Sequence, residues 1–70
     1  MITNKLSEIM GRRRIRMTEL AKWAGISTST VHRLYYDQTN GIDFETLDKL
    51  CIALECTPND ILEFTNKNIG

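Results

Sequence analysis

The chain has 70 residues, 41% of them hydrophobic and 26% charged, which supplies one modest core, excludes the profile of a disordered chain and leaves no material for a second domain. Net charge is zero, yet residues 1–36 carry seven Lys and Arg against two Glu, and residues 37–70 carry two Lys against seven Asp and Glu. A chain polarised in this way can turn a basic face to phosphates while its acidic half points away. No apolar run approaches the roughly 18 residues of a membrane span, and Met1-Ile2-Thr3-Asn4-Lys5 lacks the apolar stretch of a secretory signal, so a cytoplasmic protein with no membrane partner is expected. Cys51 and Cys56 are too few for a disulfide framework and lack the spacing of a zinc site, which predicts reduced structural thiols and no metal.

In chain order, Leu6, Ile9 and Met10 recur at three- and four-residue steps, with Arg13 as a further position, and predict a first helix that Thr3 is placed to cap. Its basic end, Arg12-Arg13-Arg14, suits the negative end of a helix dipole. A second helix holds Leu20, Ala21 and Ala24 on one face and stops at Gly25, which tolerates the left-handed conformation. After a three-residue turn, Ser27 caps a third helix over about Thr28 to Tyr36. Val31 and Leu34 face inward from it, while Thr28, Ser29, His32 and Arg33 face outward.

Asp37 to Gly41 reads as a polar loop whose Asn40-Gly41 pair tolerates positive φ. Asp43 caps a fourth helix with Phe44, Leu47, Leu50, Cys51 and Leu54 as its apolar stripe. Thr57-Pro58-Asn59-Asp60 opens a fifth helix with a capping oxygen, Pro at the first position and an acid in the first turn. Ile61, Leu62 and Phe64 then seal the core. No segment alternates as a strand does, so no sheet is expected, and the architecture predicted is all-α with five helices in one domain over residues 1–70, core 3–64 and a loose tail 65–70.

Residues 17–34 contain the chemistry-bearing motif, two short helices joined by a tight turn with Gly. Each position has a steric reason. Ala21 is small where the next helix crosses close above it, Gly25 bends the chain, and Ile26, Val31 and Leu34 lock the pair together. With Gly41 to Leu54 and Pro58 to Phe64, this pattern resembles the Cro and repressor (Xre-type) family of helix-turn-helix regulators over residues 3–64, in a short single-domain branch. The resemblance implies a five-helix, lambda-repressor-like fold whose third helix enters the major groove of double-stranded DNA, and a bacterial or phage transcriptional regulator. Where many members begin the second helix with Ser or Thr followed by Gln, this chain has Arg16 and Met17, so the phosphate clamp falls to Arg16 or Thr18.

A helix seated in the groove reads bases with its outward side chains, which assigns Thr28, Ser29, His32 and Arg33 as base readers. Arg33 can donate to O6 and N7 of guanine, with a plain phosphate contact as its lesser role. The hydroxyls of Thr28 and Ser29 reach base edges or phosphates, and His32 touches either. The resemblance places Arg14, Arg16, Thr18, Thr39 and Asn40 on phosphates to either side. Trp23, Tyr35 and Tyr36 are read as core or rim packing rather than stacking platforms. A homodimer is expected through the last helix and tail, with Ile61, Phe64 and Ile69 as its apolar patch. Neither cofactor nor small-molecule ligand is evident, and no catalytic constellation assembles, so the chain is not expected to be an enzyme. The rival reading is a helix-turn-helix module that binds a protein, such as an antitoxin or an antagonist of another regulator.

Overall fold

The computed structural model describes residues 2–64. The elements run β1 (Ile2–Asn4), α1 (Leu6–Arg13), α2 (Met17–Ala24), α3 (Thr28–Tyr35), α4 (Phe44–Leu54), α5 (Pro58–Ile61) and β2 (Leu62–Phe64). Five helices stand in the predicted order, and the fold is mostly α. The expected absence of a sheet is corrected: β1 and β2 pair antiparallel, Ile2 opposite Phe64, Thr3 opposite Glu63 and Asn4 opposite Leu62. Each strand has three residues, too few for alternation to show, and its partner lies at the far end of the chain. The Lys5 amide extends the ladder by donating to the Ile61 carbonyl at 2.6 Å.

One cluster forms the core: Leu6, Ile9 and Met10 from α1, Leu20, Ala21 and Ala24 from α2, Val31 and Leu34 from α3, Leu47, Leu50 and Leu54 from α4, and Ile61 from α5. Each fully buried Leu or Ile contributes on the order of 1.5–3 kcal/mol relative to exposure, which is what holds helices of eight residues that would fray alone. Among the described residues no polar or charged side chain is buried, so the core contributes shape and leaves all polar chemistry to the surface.

Helix ends follow local chemistry. Gly25 closes α2 at φ 69° and ψ 36°. Ser27 Oγ accepts from the Thr30 amide at 3.1 Å and opens α3. Asp43 Oδ1 does the same for Thr46 at 3.2 Å, and at α5 the Thr57 amide and hydroxyl both donate to Asp60 Oδ2. Among the described residues three non-glycine residues also take positive φ: Arg14 after α1, Glu55 after α4 and Asp37 after α3. In the α3–α4 loop the left-handed residue is therefore Asp37, and neither Asn40 nor Gly41 takes positive φ.

Several placements differ from the sequence reading. Thr3 lies in β1 rather than capping α1, and Asn4 Oδ1 accepts from the Leu6 amide instead, at 3.2 Å. Arg13 is exposed rather than part of the apolar stripe, and its guanidinium donates to the Leu54 carbonyl, tying the end of α1 to the end of α4. Phe44 is 89% exposed because it is the first residue of α4, a turn before the buried Leu47. Phe64 is 67% exposed: α5 stops at Ile61, and the extended backbone after it carries Phe64 away from the core. The tail 65–70, Ile69 included, lies outside the described residues.

Candidate nucleic-acid interface

The geometry of the α2–α3 pair originates in the turn between them. The amides of Gly25 and Ile26 both donate to the Ala21 carbonyl, the second at 3.0 Å, so α2 ends in a tight left-handed turn. Gly25 is the residue that permits it without strain. Ile26 packs half-buried against the core, Ser27 follows in extended conformation, and its hydroxyl engages both the amide and the hydroxyl of Thr30, the latter at 2.8 Å. Ala21, with only 5% of its surface exposed, lets α3 approach α2, and Val31 and Leu34 fill the contact from the α3 side.

With Val31 and Leu34 inward, the opposite face of α3 is left to solvent. Thr28, Ser29, His32 and Arg33 are all exposed, as the spacing predicts. Thr28 and Ser29 occupy the first turn, and His32 and Arg33 follow one turn on, so four hydrogen-bonding side chains project from a helix of eight residues. The His32 ring lies 4.7 Å from that of Tyr36, which in turn meets the edge of Tyr35 at 5.0 Å. This aromatic contact limits the orientations open to His32. Tyr35 is half-buried against the core, while Trp23 and Tyr36 stand at the rim, each more than half exposed.

The flanking residues divide into two groups. On one side, Arg14 closes α1 at φ 56°, Arg16 is the N-cap of α2 and Thr18 lies in the first turn of α2, all exposed. Glu19 Oε1 accepts from the Arg16 amide at 3.1 Å, which fixes the backbone there and leaves the guanidinium outside the cap. On the other side, Thr39 and Asn40 lie in the α3–α4 loop. Thr39 Oγ1 donates to the Gly41 carbonyl at 2.7 Å, a local turn that shapes the loop.

Arg33 and Thr39 line one shallow cleft together with Thr30, Asp43 and Thr46. Spacing on α3 singled out Arg33 and the family resemblance singled out Thr39, but neither showed that α4 and its cap bring Asp43 and Thr46 into the same cleft, because that adjacency depends on where the loop returns. Hydrogen bonds from the Thr46 side chain and amide hold the Asp43 carboxyl below its ordinary range, so it is ionised at neutral pH. Arg14, Arg16 and Thr18 belong to the α1–α2 corner.

Among the described residues the salt bridges are Arg12 with Glu8 and Lys49 with Glu45, both exposed helical pairs. Arg14, Arg16 and Arg33 take part in neither. Among the described residues these three guanidinium groups have no salt-bridge partner, and each carries five donors that can bind phosphate oxygens or the guanine edge. No cluster of three or more His, Cys, Asp or Glu with metal-binding geometry occurs among the described residues, and no helix there is long and apolar enough to cross a membrane.

The sequence that forms this arrangement is similar to that of a known protein. The chain is 36% identical over 56 residues to the uncharacterised HTH-type transcriptional regulator YozG of Bacillus subtilis (strain 168), an alignment spanning 80% of this chain and 67% of that protein. The family profile of the Cro/C1-type helix-turn-helix DNA-binding domain matches residues 5–67, and these residues contain the α2-turn-α3 unit, its core and the exposed outer face of α3. The chain belongs to the Cro/C1-type helix-turn-helix DNA-binding family.

Proposed function

We propose that the whole chain acts as one sequence-specific double-stranded DNA-binding domain, a bacterial or phage transcriptional regulator that reads the major groove with α3. The observation that carries this reading is the α3 surface, where Thr28, Ser29, His32 and Arg33 are all exposed on a helix whose other face is locked by Val31 and Leu34. Arg33 reads guanine through O6 and N7, and the short hydroxyls of Thr28 and Ser29 reach base edges or nearby phosphates, with His32 beside them. Phosphate contacts come from Arg14, Arg16 and Thr18 on the α1–α2 side and from Thr39 and Asn40 on the loop side. Arg16 and Thr18 also stand at the positive end of the α2 dipole, which favours an anion there. Each chain reads a half-site, and a homodimer brings two reading helices onto one face of the duplex about a helical turn apart.

The neutral total charge is compatible with this role because the charges are segregated along the chain. The protein works in the cytoplasm, where its DNA is, without a cofactor and without catalysing a reaction. The test is selection of bound sites from a random-sequence library, followed by electrophoretic shift of a selected site at low and high salt. The reading requires an enriched motif and binding that weakens steeply with salt. Absence of any enriched motif would transfer the chain to the protein-binding class of helix-turn-helix modules.

A further inference from the structure

One side chain joins the first strand to the loop that follows α3. Asn4 is the last residue of β1 and pairs with Leu62 of β2, yet its Nδ2 donates to Asp37 Oδ1 at 3.2 Å across a separation of 33 residues. Its Oδ1 meanwhile accepts from the amide of the fully buried Leu6 at 3.2 Å. Both partners select the same orientation of the Asn4 amide, because the Leu6 N–H needs an acceptor and the Asp37 carboxylate needs a donor. Among the described residues the other hydrogen bonds between side chains join residues three apart, so this one alone ties distant parts of the chain.

Asp37 is the point where α3 gives way to the loop. Its φ is 56°, its amide donates to the Leu34 carbonyl at 3.2 Å, and the Gln38 amide donates to the Arg33 carbonyl at 2.7 Å. Thr39 and Asn40, the loop-side phosphate contacts of the proposed interface, follow at once. Asn4 and Asp37 line the groove between β1 and the loop, and Thr39 and Asn40 line the same groove. The Asn4–Asp37 hydrogen bond thus bridges its two walls. Residues 38–41 carry no apolar side chain that could anchor them to the core, so polar contacts must hold this stretch. An acid two residues ahead of a phosphate contact also opposes the approach of DNA, a cost that its bond to Asn4 offsets with loop structure.

We infer that Asn4 is a positioning residue for DNA binding: without touching the duplex, it holds the Asp37 end of the α3–α4 loop so that Thr39 and Asn40 meet the phosphates already in place. A loop that is ordered beforehand does not spend binding energy on its own ordering. Capping of α1 alone would not require Asn, since it uses only the oxygen, and Ser, Thr or Asp supplies one. The second bond requires a donor on a separate atom, which Asn has. This inference rests on the DNA-reading role proposed above, but the tether itself is also tested without DNA.

The experiment uses substitutions that preserve the cap and the backbone conformation. Asn4→Asp retains an oxygen for the Leu6 amide but sets a second carboxylate against Asp37. Asp37→Asn retains an oxygen for Asn4 and tolerates positive φ. The double substitution exchanges the two side chains, which restores a hydrogen bond at the wild-type net charge. Each is titrated by anisotropy at neutral pH against a library-selected site and random DNA, below the melting temperature of every variant. Backbone order parameters of the DNA-free protein report on the loop. Asn4→Asp should weaken binding to both DNAs by about five- to tenfold and lower the order parameters of Thr39 to Gly41, with those of α3 unchanged. Asp37→Asn should bind at least as well as the wild type, and the double variant should return to within about twofold of it in both readouts. Equal binding by Asn4→Asp and the wild type overturns the inference, as does a double variant as weak as Asn4→Asp alone, or a loop whose order never changes. If Asn4→Asp fails to fold, Asn4→Ser takes its place: it keeps a capping hydroxyl, is too short to reach Asp37 and must give the same loss. A wild type that binds no DNA sinks the regulator reading, while the order parameters still decide whether Asn4 holds the loop.

Discussion

Replacing Gly25 by Ala isolates the backbone cost of the turn that sets α3 against α2. Gly25 sits at φ 69° and ψ 36°, and a Cβ added there meets no atom within 4 Å, so no steric contact contributes. The left-handed conformation costs an L-residue about 1–2 kcal/mol, and the reduced freedom of Ala in the unfolded chain returns roughly 0.4–1 kcal/mol. The net expectation is a loss of about 1 kcal/mol, or a fall of about 4–8 °C in Tm for a domain of this size. Glu55 provides the mirror experiment, because it closes α4 at φ 51° with an exposed side chain. Glu55→Gly should gain a similar amount, helped by removing a carboxylate from the negative end of the α4 dipole. Both variants are measured by thermal and urea denaturation followed by circular dichroism. An unchanged Gly25→Ala, a loss above about 3 kcal/mol, or a destabilised Glu55→Gly would refute the argument that backbone conformation alone decides these sites.

Ala21→Leu should cost about 1–3 kcal/mol by overfilling the α2–α3 contact, and an unchanged melting temperature would show that the helices cross elsewhere. Arg33→Ala should reduce discrimination at one base pair by about 1–3 kcal/mol while leaving affinity for random DNA nearly unchanged. Arg14→Ala should weaken cognate and random DNA alike and shallow the salt dependence; anisotropy titrations at two salt concentrations separate the two patterns. The Asp43 and Asp60 carboxyls are both held below their ordinary range, by hydrogen bonds from Thr46 and Thr57 respectively. Their folded values lie beneath their unfolded ones, so the stability they contribute is present above about pH 4 and is lost as pH falls through the depressed values. Urea midpoints should therefore decline below about pH 4. The double variant Asp43→Asn with Asp60→Asn, which keeps capping oxygens but cannot titrate, should flatten that decline.

The helices were legible because their signals are local. Gly25, Ser27, Asp43 and the Thr57–Asp60 box each act within four residues, and all four close or open helices where the sequence places them. Val31 and Leu34 fix which side of α3 turns outward, so the exposure of Thr28, Ser29, His32 and Arg33 could be read from spacing alone. The ribbon could not. Ile2 and Phe64 meet only after five helices have folded between them, and three-residue strands leave no periodic trace. Phe44 and Phe64 misled for the same reason: apolar character suggested burial, whereas the ends of their elements lie beyond the core. The cleft shared by Arg33, Thr39, Asp43 and Thr46 depends likewise on the path of the α3–α4 loop, whose left-handed residue is Asp37 rather than either member of the Asn-Gly pair.

Specificity is proposed to reside on the outer face of α3. Its most direct test is a variant in which Thr28, Ser29, His32 and Arg33 are all Ala, titrated against a library-selected site and against random DNA of the same length. These side chains are exposed, so folding should survive, as a melting curve will show. The selected site should lose its advantage and bind no better than random DNA, while binding to random DNA persists through the phosphate contacts. A variant that still prefers the selected site would place sequence reading on another surface of the protein.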